Sequence, residues 1–208
     1  DSTISVQIFF KTQEATGVPY VHFNGAGGNI GAGKYNDGAP ENRPVLADRV
    51  AAGMARAWEN ERKSAISAAD VDWKTLAVAL PPSPHLDETQ LLATLKDPQV
   101  PARRRIEIAG KLVWLRRCRA GDKIDLGCLT LGPARVLHMP GELFVEYQLA
   151  AQQMRPDAMV CMAAYGDDGC GYIGTEIAYS QGGYETGKVS QVAPQVERVL
   201  MDAMKSLL

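Results

Sequence analysis

The stretch from Ala134 to Gly166 constrains this chain more than any other. It reads as strand, helix, strand: "ARVLHM" (Ala134–Met139), "PGELFVEYQLAAQQM" (Pro140–Met154) and "AMVCMAAYG" (Ala158–Gly166). Leu143, Tyr147 and Ala150 fall on one helix face as a buried stripe, and the second strand is apolar along its length, as a buried strand is. Elements of both kinds surround this unit. Strands are predicted over Trp73–Leu80 and Lys123–Leu131, the latter joined to Ala134 at Gly132-Pro133. "VPYVHF" (Val18–Phe23) reads as a further buried strand. Helices are predicted over Pro44–Lys63, Asp87–Lys96, Pro101–Cys118 and from Pro194 to the end; Asp87 and Gln90 form a capping pair. Helices that alternate with strands imply an α/β fold, a mixed sheet with flanking helices. With 208 residues, 46% of them hydrophobic and 22% charged, there is material for a sizeable core, and residues 1–208 read as a single domain.

Charge excludes some partners. The net charge is −2, which gives no general attraction to nucleic acid or to anionic membranes. No run approaches the length of a transmembrane segment. Arg103, Arg104, Arg105, Lys111, Arg116, Arg117 and Arg119 cluster on one predicted helix, but there is no aromatic platform for bases. That cluster reads as a solvated helix face. Four cysteines lack zinc-knuckle spacing, and Cys118 and Cys161 read as buried thiols. The first residue is Asp, which suggests a processed product or part of something longer.

"GNIGAGKY" (Gly28–Tyr35) begins as a phosphate loop does, G-x-x-x-x-G-K. Tyr35 stands where a magnesium-binding Ser or Thr belongs. Gly38, Pro40 and Pro44 then break the helix whose amides would hold a phosphate. Nucleotide binding through Gly28–Lys34 is therefore the least favoured functional reading. A tight turn, or a close approach of backbone to something else, accounts for the glycines.

Two strand ends could carry chemistry. Glu142 is expected in the first turn of the helix after "HMPGE", where it either complements the macrodipole or serves a site. The long loop after Gly166 holds Asp167, Asp168, Tyr172, Tyr179 and Tyr184, with Tyr165 just before it. These tyrosines are either half-buried packing residues or an active-site cluster. His22, His85 and His138 make no ligand motif and read as structural.

"MPGELF" followed by "YIGTEIAYSQGGYE" resembles the neutral/alkaline, non-lysosomal ceramidase family. That family has a P-G-E turn before a helix and Y-I-x-T after the next strand. A second Tyr comes seven residues later and a Tyr-Glu pair twelve later; here these are Tyr172, Tyr179 and Tyr184-Glu185. "FNGAGGNIGAGKYNDG" is similar to the bacterial, ceramidase-like branch. The resemblance covers most of the chain, is specific at the Glu and Tyr segments, and is weak between Lys63 and Arg119.

The resemblance implies the second half of a larger catalytic domain that hydrolyses an amide bond in a lipid with one zinc ion. Glu142 and Tyr172 would be metal ligands, and Tyr184 would steady the oxyanion. Two further His ligands would come from an N-terminal half outside this chain. Gly27, Gly28, Asn29 and Tyr179 would line the substrate, a lipid or small-molecule amide. The family's Ser, in G-D-V-S-P-N, is not matched; Gly28 falls near its position. The substrate is therefore open, and a catalytically inactive, ligand-binding member is the alternative. A secreted or periplasmic location goes with the family.

Overall fold

The computed structural model describes residues 13–14, 16–31, 33, 37–166 and 170–208. They form two compact units. One comprises residues up to His22 together with Gly31–Ala65; the other comprises Phe23–Ile30 with Ile66–Leu208. The first unit is built on helix α1 (Asn42–Glu59), where Tyr20 packs against Trp58 with ring centroids 6.3 Å apart. Val18–Phe23 is not a strand. It has no regular secondary structure, and Val21 and Phe23 are exposed. A short apolar run has no periodicity that separates a strand from an unpaired segment.

The second unit holds the sheet. Its strands are β1 (Val71–Val78), β2 (Ile124–Leu131), β3 (Ala134–Pro140) and β5 (Met159–Gly166), side by side in that order. β1–β2 and β2–β3 pair antiparallel, and β3–β5 pair parallel, so the sheet is mixed as expected. The parallel pair needs a crossover. Helix α4 (Val145–Met154) supplies it, after the short strand β4 (Glu142–Leu143). Helices α2 (Glu88–Lys96) and α3 (Ala102–Ala120) pack together, and β6 (Tyr172–Ile173), α5 (Glu176–Gln181) and α6 (Val196–Leu207) complete the chain. The Asp87 side chain caps α2 by accepting from the Gln90 N–H at 2.8 Å. α5 lies in what reads as loop from sequence; six residues show too little periodicity to stand out.

One sheet face builds the core. Leu126, Cys128, Leu137, Val160 and Met162 alternate inward along their strands and are buried with Tyr147 and Ala151 of α4 and Val196, Leu200 and Met204 of α6. Burial of each Leu- or Met-sized side chain is worth about 1.5–3 kcal/mol. The opposite face stays partly open, with Val71, Trp73 and Met159 exposed. Cys161 lies on that open side and is exposed, not buried, because strand alternation puts it opposite Val160 and Met162; Cys118 is half-buried.

Candidate active site

The helix expected from Pro140 begins only at Val145. Gly141 has φ +58°, a left-handed conformation that turns the chain away from both β3 and a helix. A Cβ there would lie 2.6 Å from the Gly171 carbonyl oxygen, so only glycine fits. Glu142–Leu143 then pairs in parallel with Tyr172–Ile173, with Glu142 opposite Tyr172. The Glu142 N–H donates to Gly171 O (2.9 Å) and Phe144 N–H to Ile173 O (3.0 Å). Glu142 is thus not a first-turn acid, and the dipole reading of it falls. Glu146 is the acid in that turn.

This pairing brings the Glu and Tyr segments together. The rings of Tyr172 and Tyr184 meet edge to face with centroids 5.8 Å apart. Partial burial, then the charge of the Glu142 carboxylate and hydrogen bonding to it, hold the Tyr172 hydroxyl above the ordinary phenol range. The same causes in the same order act on Tyr165. Glu142, Tyr172 and Tyr184 therefore share one cluster, and Tyr165 joins it as a fourth member. Tyr165 has φ +61° and donates its N–H to Gly141 O at 2.8 Å. A left-handed tyrosine costs on the order of 1 kcal/mol or more, so its surroundings hold it there.

Tyr179 takes a different place. Its hydroxyl lies 2.9 Å from Ser190 Oγ and against the Gly174 backbone; burial foremost pushes its pKa up. Tyr147, fully buried, donates its hydroxyl to Gly174 O at 2.9 Å. Together they pin the end of β6 and so position Tyr172.

The Gly-rich loop makes its close approach to this same segment. Ala164 N–H donates to Asn24 O (2.8 Å), and Gly28 N–H donates to Leu143 O (2.8 Å). A Cβ on Gly28 would overlap the carbonyl oxygen of Glu142. No side chain, a serine's included, fits there with this backbone. Both ends of the Asn29 amide are engaged at the start of α4: Oδ1 accepts from Val145 N–H and Nδ2 donates to Glu146 Oε2, each at 2.8 Å. The helix's own N-cap, Phe144, has no side chain for that bond. Gly27 has space around it, the nearest atom to an added Cβ being 3.9 Å away. Lys34 and Tyr35 of the phosphate-loop reading lie outside the described residues, as do Asp167 and Asp168.

No family model matches the chain, and no curated protein matches it in sequence. Solved structures do. The neutral ceramidase of Pseudomonas aeruginosa aligns with TM-score 0.60 and 13% identity, over 97% of this chain and 40% of that chain. The fold is ceramidase-like. A second structure, a ceramidase complexed with C2, aligns with TM-score 0.53 and 13% identity, over 80% of this chain and 34% of that one. The chain thus spans well under half of either ceramidase, and the ceramidase-like fold present here is partial.

Within this ceramidase-like fold, sequence reasoning missed two roles. Tyr165 stands among the other tyrosines in sequence with nothing to mark a role of its own beyond closing a strand directly before Gly166. Asn29 reads from sequence as a substrate contact; in the structure its amide caps a helix 116 residues away, a second role at a distance where no local pattern operates.

Proposed function

We propose that the chain contributes half of a zinc-dependent amide-hydrolase site of the ceramidase type, with Glu142 and Tyr172 as its metal ligands and Tyr184 as oxyanion stabiliser. The observation that carries this is the register that sets Glu142 directly opposite Tyr172, with the Tyr184 ring edge-on to that of Tyr172. A carboxylate and a phenol are hard oxygen donors of the kind zinc accepts. Among the described residues, no three His, Cys, Asp or Glu side chains gather where one ion could be held. A catalytic zinc takes at least three protein ligands and keeps one further position open for water. The donor set here fits one half of such a shell, and two imidazoles from outside the chain would fill the other.

Bound zinc would supply an activated water and a Lewis acid. Glu142 brings the negative charge. Tyr172 must give up its proton to ligate, and the neighbouring carboxylate opposes that, so it ligates only when a strong metal site is complete. Tyr184 is exposed and has no hydroxyl partner among the described residues, so its O–H is available to an oxyanion. Gly27, Gly28 and Asn29 shape the wall beside Glu142. The open apolar sheet face around Val71, Trp73 and Met159 is where the rest of the domain would seat. A lipid or small-molecule amide is the substrate class, and a secreted or periplasmic location goes with this reading. No helix among the described residues is long and apolar enough to cross a membrane.

A catalytically inactive, ligand-binding member is the second reading. The absence of room for a side chain at Gly28 favours it over an enzyme with a nucleophilic serine there. Nucleotide binding has less support, because the Gly28 amide already donates to Leu143 O.

Zinc titration of the chain, with and without the polypeptide carrying the imidazoles, tests the proposal. Alone, the chain should bind weakly; with its complement, affinity should rise at least tenfold, and Glu142→Gln or Tyr172→Phe should abolish the rise. A rise indifferent to both substitutions would remove these residues from the site. Turnover of amide substrates by the complemented protein separates the enzyme from the ligand-binding reading.

A further inference from the structure

Far from Glu142 in sequence, a second constellation collects where α2, α3 and the segment before α6 meet. A cavity of about 190 Å³ is lined by His85, Asp87, Arg104, Lys111 and Lys188, among others. We propose that it binds a tetrahedral oxyanion of phosphate size.

The charge balance points this way. Most cations of the basic helix are matched by carboxylates: Arg116 and Arg119 by Glu88 at 2.8 and 2.6 Å, Arg117 by Asp122 at 3.1 Å. The cavity breaks that pattern. Lys111 Nζ donates to a carbonyl, Lys188 O, at 2.8 Å, and Lys188 Nζ has no partner among the described residues. Of the carboxylates nearby, Glu107 is held by Arg104 at 2.9 Å, and Asp87 accepts the amide that starts α2. Two cations, Lys111 and Lys188, therefore face the cavity with no carboxylate of their own, beside an Arg104 that shares its charge with Glu107.

Burial first, then the charges of Lys111 and Lys188, hold the His85 imidazole below its ordinary value. Lys111 is likewise held down by burial foremost, then by Arg104 and Lys188, with Glu107 acting the other way. Crowded, partly desolvated cations are stabilised by an anion among them. The surroundings are fixed. Ser83 Oγ holds His85 Nδ1 at 2.7 Å, leaving Nε2 as the ring's remaining polar atom. The carbonyl that seats Lys111 also accepts from Gln191 Nε2 at 3.3 Å, and Trp114 Nε1 anchors Gln191 O at 2.9 Å. The volume is below the about 300–1,000 Å³ of sites for drug-sized ligands, so a small anion or the head of a larger molecule fits.

Isothermal titration of inorganic phosphate and of sulfate into the chain, in chloride buffer, tests this. Saturable binding is expected, and Lys188→Ala should weaken it about tenfold or more. Lys188 is exposed, so that variant keeps the fold; Lys111→Met, which keeps the buried stem, should act similarly. Lys205→Ala, outside the cavity, should change nothing. A parallel arm measures sedimentation with phosphatidic acid vesicles against phosphatidylcholine vesicles. Vesicle binding without free-anion binding, lost in Lys188→Ala, would assign the oxyanion to a lipid headgroup in the same cavity. No binding in either arm, or binding that Lys188→Ala and Lys111→Met leave unchanged, overturns the proposal.

Discussion

Tyr147 and Tyr179 aim their hydroxyls at Gly174 and Ser190, inside the protein, whereas Tyr172, Tyr165 and Tyr184 gather around Glu142 near the surface. The same phenol does two jobs a few residues apart, and burial decides which. A buried hydroxyl needs a fixed neutral partner, and a backbone carbonyl gives Tyr147 one. A half-exposed hydroxyl can face a carboxylate, because water shares in solvating the charge. The inner pair fastens β6, and the outer set is free to meet something that is not protein.

The largest expected effect lies on the inner side. Tyr147→Ala should cost about 3–5 kcal/mol in urea unfolding, as removal of a buried aromatic does. Tyr147→Phe should cost about 1–3 kcal/mol, because Gly174 O loses its donor. Tyr184→Ala should fall within about 0.5 kcal/mol of the parent. Equal losses at Tyr147 and Tyr184 would erase the division between the groups.

Alkali should act next. The hydroxyls of Tyr147, Tyr179, Tyr172 and Tyr165 all have folded pKa values raised above the phenol reference, with burial as the first cause. A raised value favours the folded state fully below the unfolded pKa, about 10, and that stability is lost as pH climbs through the folded value. Unfolding midpoints should drop from pH 9 to pH 11, and Tyr147→Phe should flatten the drop more than Tyr172→Phe does. An equal response at the two positions would mean that the outer group is no more open than the inner.

The smallest effect on stability, and the most selective, belongs to Glu142→Gln. Removal of the charge should bring the Tyr172 and Tyr165 titrations part of the way back toward the ordinary phenol value, since burial remains. Phenolate absorbance during a pH titration reads this directly. A Tyr172 titration that does not move would separate Glu142 from the cluster.

The sheet was legible because strand alternation and the Gly132-Pro133 turn are local signals. The meeting of Glu142 with Tyr172 was legible only as motif spacing, since two-residue strands paired 30 positions apart leave no periodicity. The Pro-Gly before Glu142 looks like the first residues of a helix, and only the left-handed Gly141 shows that the helix waits until Val145. Tyr179 and Tyr184 look alike in sequence. Helix α5 turns one of them inward, and its six residues read as loop. The cationic cavity draws on residues near 85, 110 and 188, so no window of sequence contains it.

The bond from Val145 to Asn29 has a consequence for how the molecule is made. Asn29 leaves the ribosome 116 residues before the amide it will accept. At about 5–20 residues per second, that is several seconds or more during which the glycine-rich loop has nothing to dock on. Long-range closures of this kind come late in folding. We expect the wall beside Glu142 to be the last part of the second unit to gain protection in a pulse-labelling refolding experiment, with the Val145 and Gly28 amides protected after those of β2 and β3. A nascent chain released before α4 is made would carry Phe23–Ile30 as an unseated loop.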